Sequence, residues 1–382
     1  MAGRIVLFGA TGYTGRLVAE AMVERGLKPV LAARGAERLR VLADELGGEL
    51  ETATADVSDP ASVRALVEAG DVLVTTVGPF VRWGGPAAAG ASTAGAHYLD
   101  STGEPPFIRE VFERYGAAAE QSESAMVTAF GYDWVPGNLA GALALDRAGA
   151  AATRVDTGYF ITGSSGSMSG GTRASLAGVM SAPAFAFRDG RIQSERGARR
   201  VRSFRVGSKE LSGVSVGSSE HFALPRVAPG LREVNAYLGW FGPASRPMQV
   251  FSAGTAVGMK VPGAARLWDA ATARLVKGSS GGPDAAARAK SGSHVVAIAY
   301  DASGRDLSEV HVSGVDGYTF TGRILAWGAE RAAAGGLQGT GALGPADGFG
   351  LDALVDGCRQ AGISEEGAGS PGNPAASHAA GA

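Results

Sequence analysis

The sequence predicts an α/β protein, with a doubly wound parallel sheet at the N-terminus followed by a second α+β domain. Three observations carry this prediction. Short apolar runs alternate with helical patterns over the first 130 residues, an order that demands a parallel sheet covered by helices on both faces. The first apolar run ends on the glycine turn Gly9-Ala10-Thr11-Gly12-Tyr13-Thr14-Gly15, and a helical pattern begins there. From residue 131 onward, strand-like pieces are separated by Gly- and Ser-rich turns.

Each element has a local reason. Ile5 to Phe8 is a short apolar run before glycines, as a buried parallel strand should be. Thr14 to Arg25 places Leu17, Val18, Ala21 and Met22 on one helical face, and Gly26 stops it. Pro29 to Ala33 reads as a strand, Ala36 to Leu46 as a helix and Glu51 to Ala55 as a weaker strand. Asp59-Pro60 starts a helix to about Ala69, because Asp caps free amides and Pro is tolerated at the first helical position. Asp71 to Val77 is the strongest strand signal. A helix over Gly84 to Thr93, a strand over His97 to Leu99, a helix from Pro105 to about Ser122 and a strand from Ala125 to Phe130 follow. The expected second-domain strands are Arg154 to Ile161, Val201 to Val206, Val295 to Tyr300 and Ser308 to Val315, with late helices over Tyr318 to Gly335 and Leu351 to Ala361. The expected division is therefore 1–130 for the nucleotide domain, 131–340 for the second domain, 341–365 for a C-terminal helix packing back on the first, and 366–382 for a disordered tail rich in Gly, Ala, Ser and Pro.

Composition narrows the partners. The chain of 382 residues is long enough for two or three domains, and 45% hydrophobic with 19% charged residues fits a packed globular protein. A formal net charge of −2 gives no field to draw it to nucleic acid, so a small molecule in a cleft is the expected partner. No stretch reaches the roughly 18 apolar residues of a membrane span. The mixed apolar and basic stretch Gly258 to Val276 leaves open a membrane surface, a second copy of the chain, or an ordinary core helix. The single cysteine, Cys358, reads as a buried apolar residue, and no Cys/His grouping has zinc-ligand spacing, so no metal is expected. With no signal-peptide pattern at the start, the expected location is cytoplasmic.

The glycine turn has the order a pyrophosphate site needs. Gly9 turns the chain out of the strand, Gly12 lets backbone approach a diphosphate, and Gly15 permits close helix–sheet contact; Thr11, Tyr13 and Thr14 fill the turn. The helix N-terminus then offers free N–H groups and partial positive charge. This is a Rossmann-type arrangement with GxxGxxG spacing. Where an NAD site places an acid after the second strand, this chain has Leu31-Ala32-Ala33-Arg34. A guanidinium pairs with the 2′-phosphate of NADP, which makes NADP the expected cofactor, with Arg38 one turn further on. Asp56-Val57 follows the third strand, where Asp56 either accepts from the adenine amino group or caps a turn. Val77-Gly78-Pro79-Phe80 follows the fourth strand, a small rigid loop for ribose and nicotinamide to pass.

These motifs, with Gly95-Ala96-His97-Tyr98-Leu99-Asp100-Ser101-Thr102-Gly103-Glu104, resemble the saccharopine dehydrogenase-like proteins. Phe130 to Leu139 and Ser169-Gly170-Gly171-Thr172 resemble segments of their bacterial subgroup, the trans-acting enoyl reductases. The resemblance spans about residues 3–365. It implies a nucleotide domain, a second α+β domain, and NADPH-dependent reduction of a carbon–carbon double bond on a polyketide or lipid-like chain in the cleft between them. Trp134, Gly137 and Asn138 depart from the subgroup's serines and aspartate, which points to a different substrate.

Hydride transfer needs orientation and a proton source more than a nucleophile. The candidates near C-terminal strand ends are Tyr98, Asp100, Glu104, Tyr132 and Asp133, each also readable as a packing or turn residue. Of the five histidines, only His97 has a positional argument; none pairs with its neighbours in sequence as a triad or metal site. No Tyr-x-x-x-Lys pair stands where short-chain-dehydrogenase chemistry would need it. Three functions stay open: reduction of a conjugated C=C bond, reduction of an imine in reductive amination, and non-catalytic sensing of NADP(H).

Overall fold

The structure, a computed structural model, describes residues 3–163, 183–240, 245–258 and 281–367. The Ser169 to Thr172 turn, the stretch from 259 to 276 and the tail from 368 lie outside the described residues.

The first sheet is built from β1 (Ile5–Phe8), β2 (Val30–Ala33), β3 (Thr52–Thr54), β4 (Val72–Thr75), β5 (His97–Asp100) and β6 (Ala125–Val127). All are parallel, in the order β3-β2-β1-β4-β5-β6, and a seventh strand from the far end of the chain, Gly341–Ala342, pairs with β6. The buried runs Ile5–Phe8, Val30–Ala33 and Val72–Thr75 show no in–out alternation, as expected of strands covered on both faces.

The connecting helices are α1 (Tyr13–Glu24), α2 (Ala36–Glu45), α3 (Pro60–Arg64), α4 (Phe80–Trp83), α5 (Gly85–Ala94), α6 (Pro105–Glu110) and α7 (Gly116–Gln121). Helices α3, α5, α6 and α7 cover one face over a core that includes Val6, Phe8, Leu73 and Tyr98. The other face carries α1 and α2 and is completed by a helix more than 280 residues further on, Gly317–Ala333, which packs on α1 and on β1, β4 and β5. That helix falls within residues 131–340, and its pattern also allows packing back on the first domain; it covers this face of the first sheet. Asp316 caps it by accepting from the amides of Tyr318 and Thr319. Small residues set its approach: a methyl at Gly322 would stand 3.0 Å from the Leu17 carbonyl oxygen, and one at Gly328 only 2.4 Å from the Phe130 ring.

Helix α8 (Val135–Ala148) leads into the second domain. Its strands are β7 (Arg154–Gly163), β8 (Pro183–Arg188), β9 (Arg191–Arg196), β10 (Val201–Val206), β11 (Lys209–Val216), β12 (Glu233–Leu238), β13 (Ser291–Tyr300) and β14 (Asp306–Val315). After β15 (Gly341–Ala342) in the first sheet, β16 (Ile363–Glu365) returns to the second. The order is β10-β11-β12-β7-β13-β14-β16, with β8 beside β12 and β9 beside β8. Helix α8 packs on β7, β13 and β14, and the helix Leu351–Ala361 packs on both α8 and Gly317–Ala333. One core, with Leu7, Trp134, Tyr159, Val295 and Trp327 among its members, runs from the first sheet into the second.

Two buried acids fix the strand-end loops of the first sheet. Asp100 Oδ1 accepts from the Thr102 and Ala129 amides, and Oδ2 accepts from the Thr128 hydroxyl at 2.7 Å. The Glu104 carboxylate accepts from the amides of Phe80 and Val81 at 2.8 and 3.0 Å, joining the loop after β5 to the loop after β4. Replacing Asp100 with Ala leaves three buried donors without acceptors, so Asp100→Ala is expected to cost about 3 kcal/mol of stability, read as a lowered urea midpoint with unchanged slope. An unchanged midpoint would remove the loop-fixing role.

Candidate functional site

The strand order reverses between β1 and β4, and in sheets of this kind a crevice opens at the C-terminal ends of those two strands. The glycine turn sits there. Gly9 has φ +94°, and a methyl on it would lie 2.7 Å from Thr76 Oγ1. The side chain of Thr76 donates to the Gly9 carbonyl at 3.3 Å. A methyl at Gly15 would lie 2.1 Å from the Gly9 carbonyl oxygen, so only glycine allows this helix-to-turn contact. Gly12 is the N-cap of α1 and brings no side chain, so the first amides of the helix face outward without a capping group. A diphosphate fits such a cradle.

Further along this edge, Arg34 is exposed immediately after β2. It makes no hydrogen bond or salt bridge among the described residues, but its charge helps lower the Asp56 pKa. Arg38, exposed on α2, lies close by: a methyl at Gly35 would come within 3.2 Å of Arg38 Nε. Asp56 Oδ1 accepts from the Ser58 amide and hydroxyl, both at 2.8 Å, and these bonds are the main reason its carboxyl is held below the usual range. The turn-capping role of Asp56 is thus present, with Oδ2 left over, and Val57 beside it is half-buried. After β4, Val77 is half-buried and Gly78 is exposed, while Phe80 is buried behind them and Pro79 precedes α4.

A cavity of about 240 Å³ lies between the two domains. From the first come Thr14, Ser101, Tyr132 and Asp133; from the second come Ile161, Trp240, Arg288 and Ser293; and Asp316, Tyr318 and Thr321 come from the start of the late helix. Tyr13 closes the seam. Its hydroxyl donates to the Pro283 carbonyl at 2.5 Å and accepts from Arg288 at 3.0 Å, and its ring meets Tyr318 edge-on at 5.2 Å. The side chain of Tyr13 thus ties the turn to the second domain.

Among the cavity acids, Asp133 carries a buried oxygen, Oδ1, without a hydrogen-bond partner among the described residues. Burial pushes its carboxyl up to about 7. Tyr132 is buried beside it, its hydroxyl directed at the Phe160 carbonyl at 3.4 Å, with its pKa raised by burial. Behind this wall, Glu220 is fully buried and raised to about 7, also by burial; it meets the Tyr159 hydroxyl at 2.6 Å, and that hydroxyl accepts from the Gly137 amide.

The structure therefore divides the five candidate residues, with Tyr132 and Asp133 at the cavity and Tyr98, Asp100 and the loop-bridging Glu104 away from it. Tyr98 is wholly buried in the core on the opposite helix layer, and Asp100 has its oxygens committed to Thr102, Thr128 and Ala129, with burial raising it to about 6. This gives Tyr98 and Asp100 packing and positioning surroundings. His97 begins β5, at the sheet edge away from the crevice, and its Nδ1 accepts from the Ala125 amide. No histidine pairs with a neighbour in sequence, but β13 and β14 bring His294 and His311 to 2.9 Å across the sheet. Residues 17 apart on neighbouring strands show no local spacing signal. Sequence reasoning also missed Arg288, Asp316 and Trp240 as cavity residues; only Asp316, standing before a helical pattern, carried a usable signal, that of a cap.

Comparison with known proteins agrees with this geometry. Residues 9–142 match the NAD(P)H-binding family. A Mycobacterium tuberculosis relative named as a trans-acting enoyl reductase is 38% identical over 185 residues, 46% of this chain and 44% of its own. The trans-acting enoyl reductase of Mycobacterium ulcerans is 36% identical over 140 residues, 35% of this chain and 34% of its own. The matched region thus spans less than half the length of either relative. Across the fold, apo saccharopine dehydrogenase (L-Glu forming) from Saccharomyces cerevisiae superposes with a TM-score of 0.57 at 12% identity, covering 95% of this chain and 99% of that one. With an NAD(P)H-binding match in its first sheet and the saccharopine dehydrogenase fold throughout, the chain resembles the saccharopine dehydrogenase-like proteins and, within them, the trans-acting enoyl reductases.

Proposed function

We propose that the chain is an NADPH-dependent reductase of a conjugated C=C bond, an enoyl or enone group, in a polyketide-, lipid- or secondary-metabolite-type substrate. The observation that carries this reading is that Thr14 of the glycine turn and Asp133, whose Oδ1 has no hydrogen-bond partner among the described residues, line the same interdomain cavity. Bound on the turn, NADPH would supply the hydride that the β-carbon of an activated alkene requires. The amides at the start of α1 hold the diphosphate, and Arg34 pairs with the 2′-phosphate. Ile161 and Trp240 give the cavity apolar walls suited to a hydrocarbon chain. Asp133, raised by burial to about 7 and so still partly protonated near neutral pH, gives its proton to the α-carbon and is reprotonated from solvent, so that the product gains one hydride and one proton. Tyr132 positions this exchange from the adjoining wall. Imine reduction calls for paired acids to hold an ammonium, and the second acid of the cavity, Asp316, has Oδ1 committed to capping its helix.

The test is to supply NADPH and follow its absorbance with enoyl thioesters, enones and cyclic imines in turn. Turnover of the conjugated alkenes is expected; turnover of imines alone would overturn the reading, and tight NADPH binding with no turnover would favour a sensor. Arg34→Ala is expected to weaken NADPH about tenfold to a hundredfold, the value of a charge-assisted pair, with NADH little changed; equal losses by titration would remove the NADP assignment. Because Asp133 must carry its proton, kcat should be flat at acid pH and fall as pH rises through about 7. Asp133→Asn should lower kcat by about a hundredfold or more and abolish that fall. A pH profile retained in Asp133→Asn would place the proton source elsewhere.

A further inference from the structure

The outer face of the second sheet carries a cluster with no part in the cavity. Along β13 and β14, Val295, Val310 and Val312 point into the core, so the alternating positions His294, Glu309 and His311 point to the opposite face. His294 pairs in register with Ser313 and His311 with Val296, which sets the two imidazoles diagonally across the ladder. Strand β16 and the residue after it bring the fourth group: Glu365 pairs with Val312, and the Glu366 amide donates to the His311 carbonyl at 2.9 Å. One ligand atom each from His294, His311 and Glu366 lies within 4.8 Å of the others.

The contacts form a line whose protons do not add up. Glu309 Oε1 meets His311 Nε2 at 2.7 Å, His311 Nδ1 meets His294 Nε2 at 2.9 Å, and His294 Nδ1 meets Glu366 Oε1 at 3.1 Å. Each of these three contacts needs a hydrogen between its atoms, and two neutral imidazoles carry only two. One extra positive charge is required in the line, and it falls among two imidazoles and two carboxylates. Glu365 does not supply a countercharge, because both of its oxygens are held by Arg147 at 2.5 and 2.7 Å.

We propose that His294, His311 and Glu366 bind a divalent first-row transition ion, zinc or one of its class, which fastens β16 and the chain after it to the β13–β14 hairpin. Two imidazoles and one carboxylate suit such an ion, whereas magnesium and calcium require oxygen donors throughout. The ion takes one nitrogen from each ring, so each ring keeps its proton on the other nitrogen and the shortfall disappears. Glu309 then accepts from the far nitrogen of His311, the carboxylate–histidine arrangement that orients a metal-bound imidazole. The remaining coordination positions are left to water.

The experiment uses the full, untagged chain, stripped with chelator and titrated with Zn²⁺ by calorimetry and with Co²⁺ by visible absorbance. One ion per chain is expected, with a raised unfolding midpoint in the bound form and no response to Mg²⁺. His311→Ala should abolish uptake. Glu366→Gln, at a half-exposed position whose change leaves the fold intact, should weaken it about tenfold or more, and Glu309→Gln by about tenfold to a hundredfold. No uptake by the wild-type chain, or equal uptake by wild type and Glu366→Gln, would overturn the proposal. So would a midpoint that depends on pH through the histidine range and not on zinc, since a third proton would then fill the line.

Discussion

A parallel sheet buried on both faces needs a helix over every strand, and the first 130 residues do not supply one over β4 and β5 on the α1 side. The chain leaves through α8 to build the second sheet and returns only with Gly317–Ala333 to cover that face. This requirement organises the rest of the molecule. Because β14 runs directly into the covering helix, the second sheet is held at a fixed position against the first. The close crossing on α1 at Gly322 brings Asp316 and Tyr318 beside Tyr13 and Thr14. The cavity is a consequence of that docking: the first sheet supplies the turn and Asp133, and the return helix brings the opposite wall.

The buried acids show how surroundings assign roles to identical groups. Asp100 and Glu104 accept hydrogen bonds from amides and a hydroxyl at strand ends, which fixes loops and occupies their oxygens. Asp133 faces the cavity with a buried oxygen that no group among the described residues satisfies. A buried polar atom without a partner is costly, and such a cost at a cleft is the mark of a group that waits for a ligand or a proton. Burial raises Asp100 to about 6 and Asp133 to about 7, and the bonds that pull the Asp100 value back down have no counterpart at Asp133. The difference between a structural acid and a chemically available one lies in those bonds rather than in depth.

Much of the fold was legible residue by residue. The Asp59 cap, the glycine stop after α1 and the apolar runs of β1, β2 and β4 are local signals, and they appear where the sequence places them. The helix beginning at Pro60 is shorter than its pattern suggests. It ends at Arg64 because Arg4 binds both Asp71 and the Leu66 carbonyl, and Asp71 accepts from the Glu68 amide, drawing residues 66–68 into a turn. Such a pairing across 67 positions leaves no mark on local periodicity. The histidine line is hidden for the same reason: His294, His311 and Glu366 become neighbours only through strand register.

What the sequence determined by itself was whatever depends on neighbours along the chain: the strand–turn–helix cradle with Gly9, Gly12 and Gly15, the arginine after the second strand, and the alternation that makes a doubly wound sheet. Opening on that cradle, one could read a dinucleotide site from spacing alone, because helix dipoles and glycine sterics act within a few residues. The tertiary structure decided which acid faces the cleft, which helix completes the first sheet and which histidines meet. Those outcomes rest on side chains packed from distant segments, and packing, unlike turn geometry, is set by the whole chain at once.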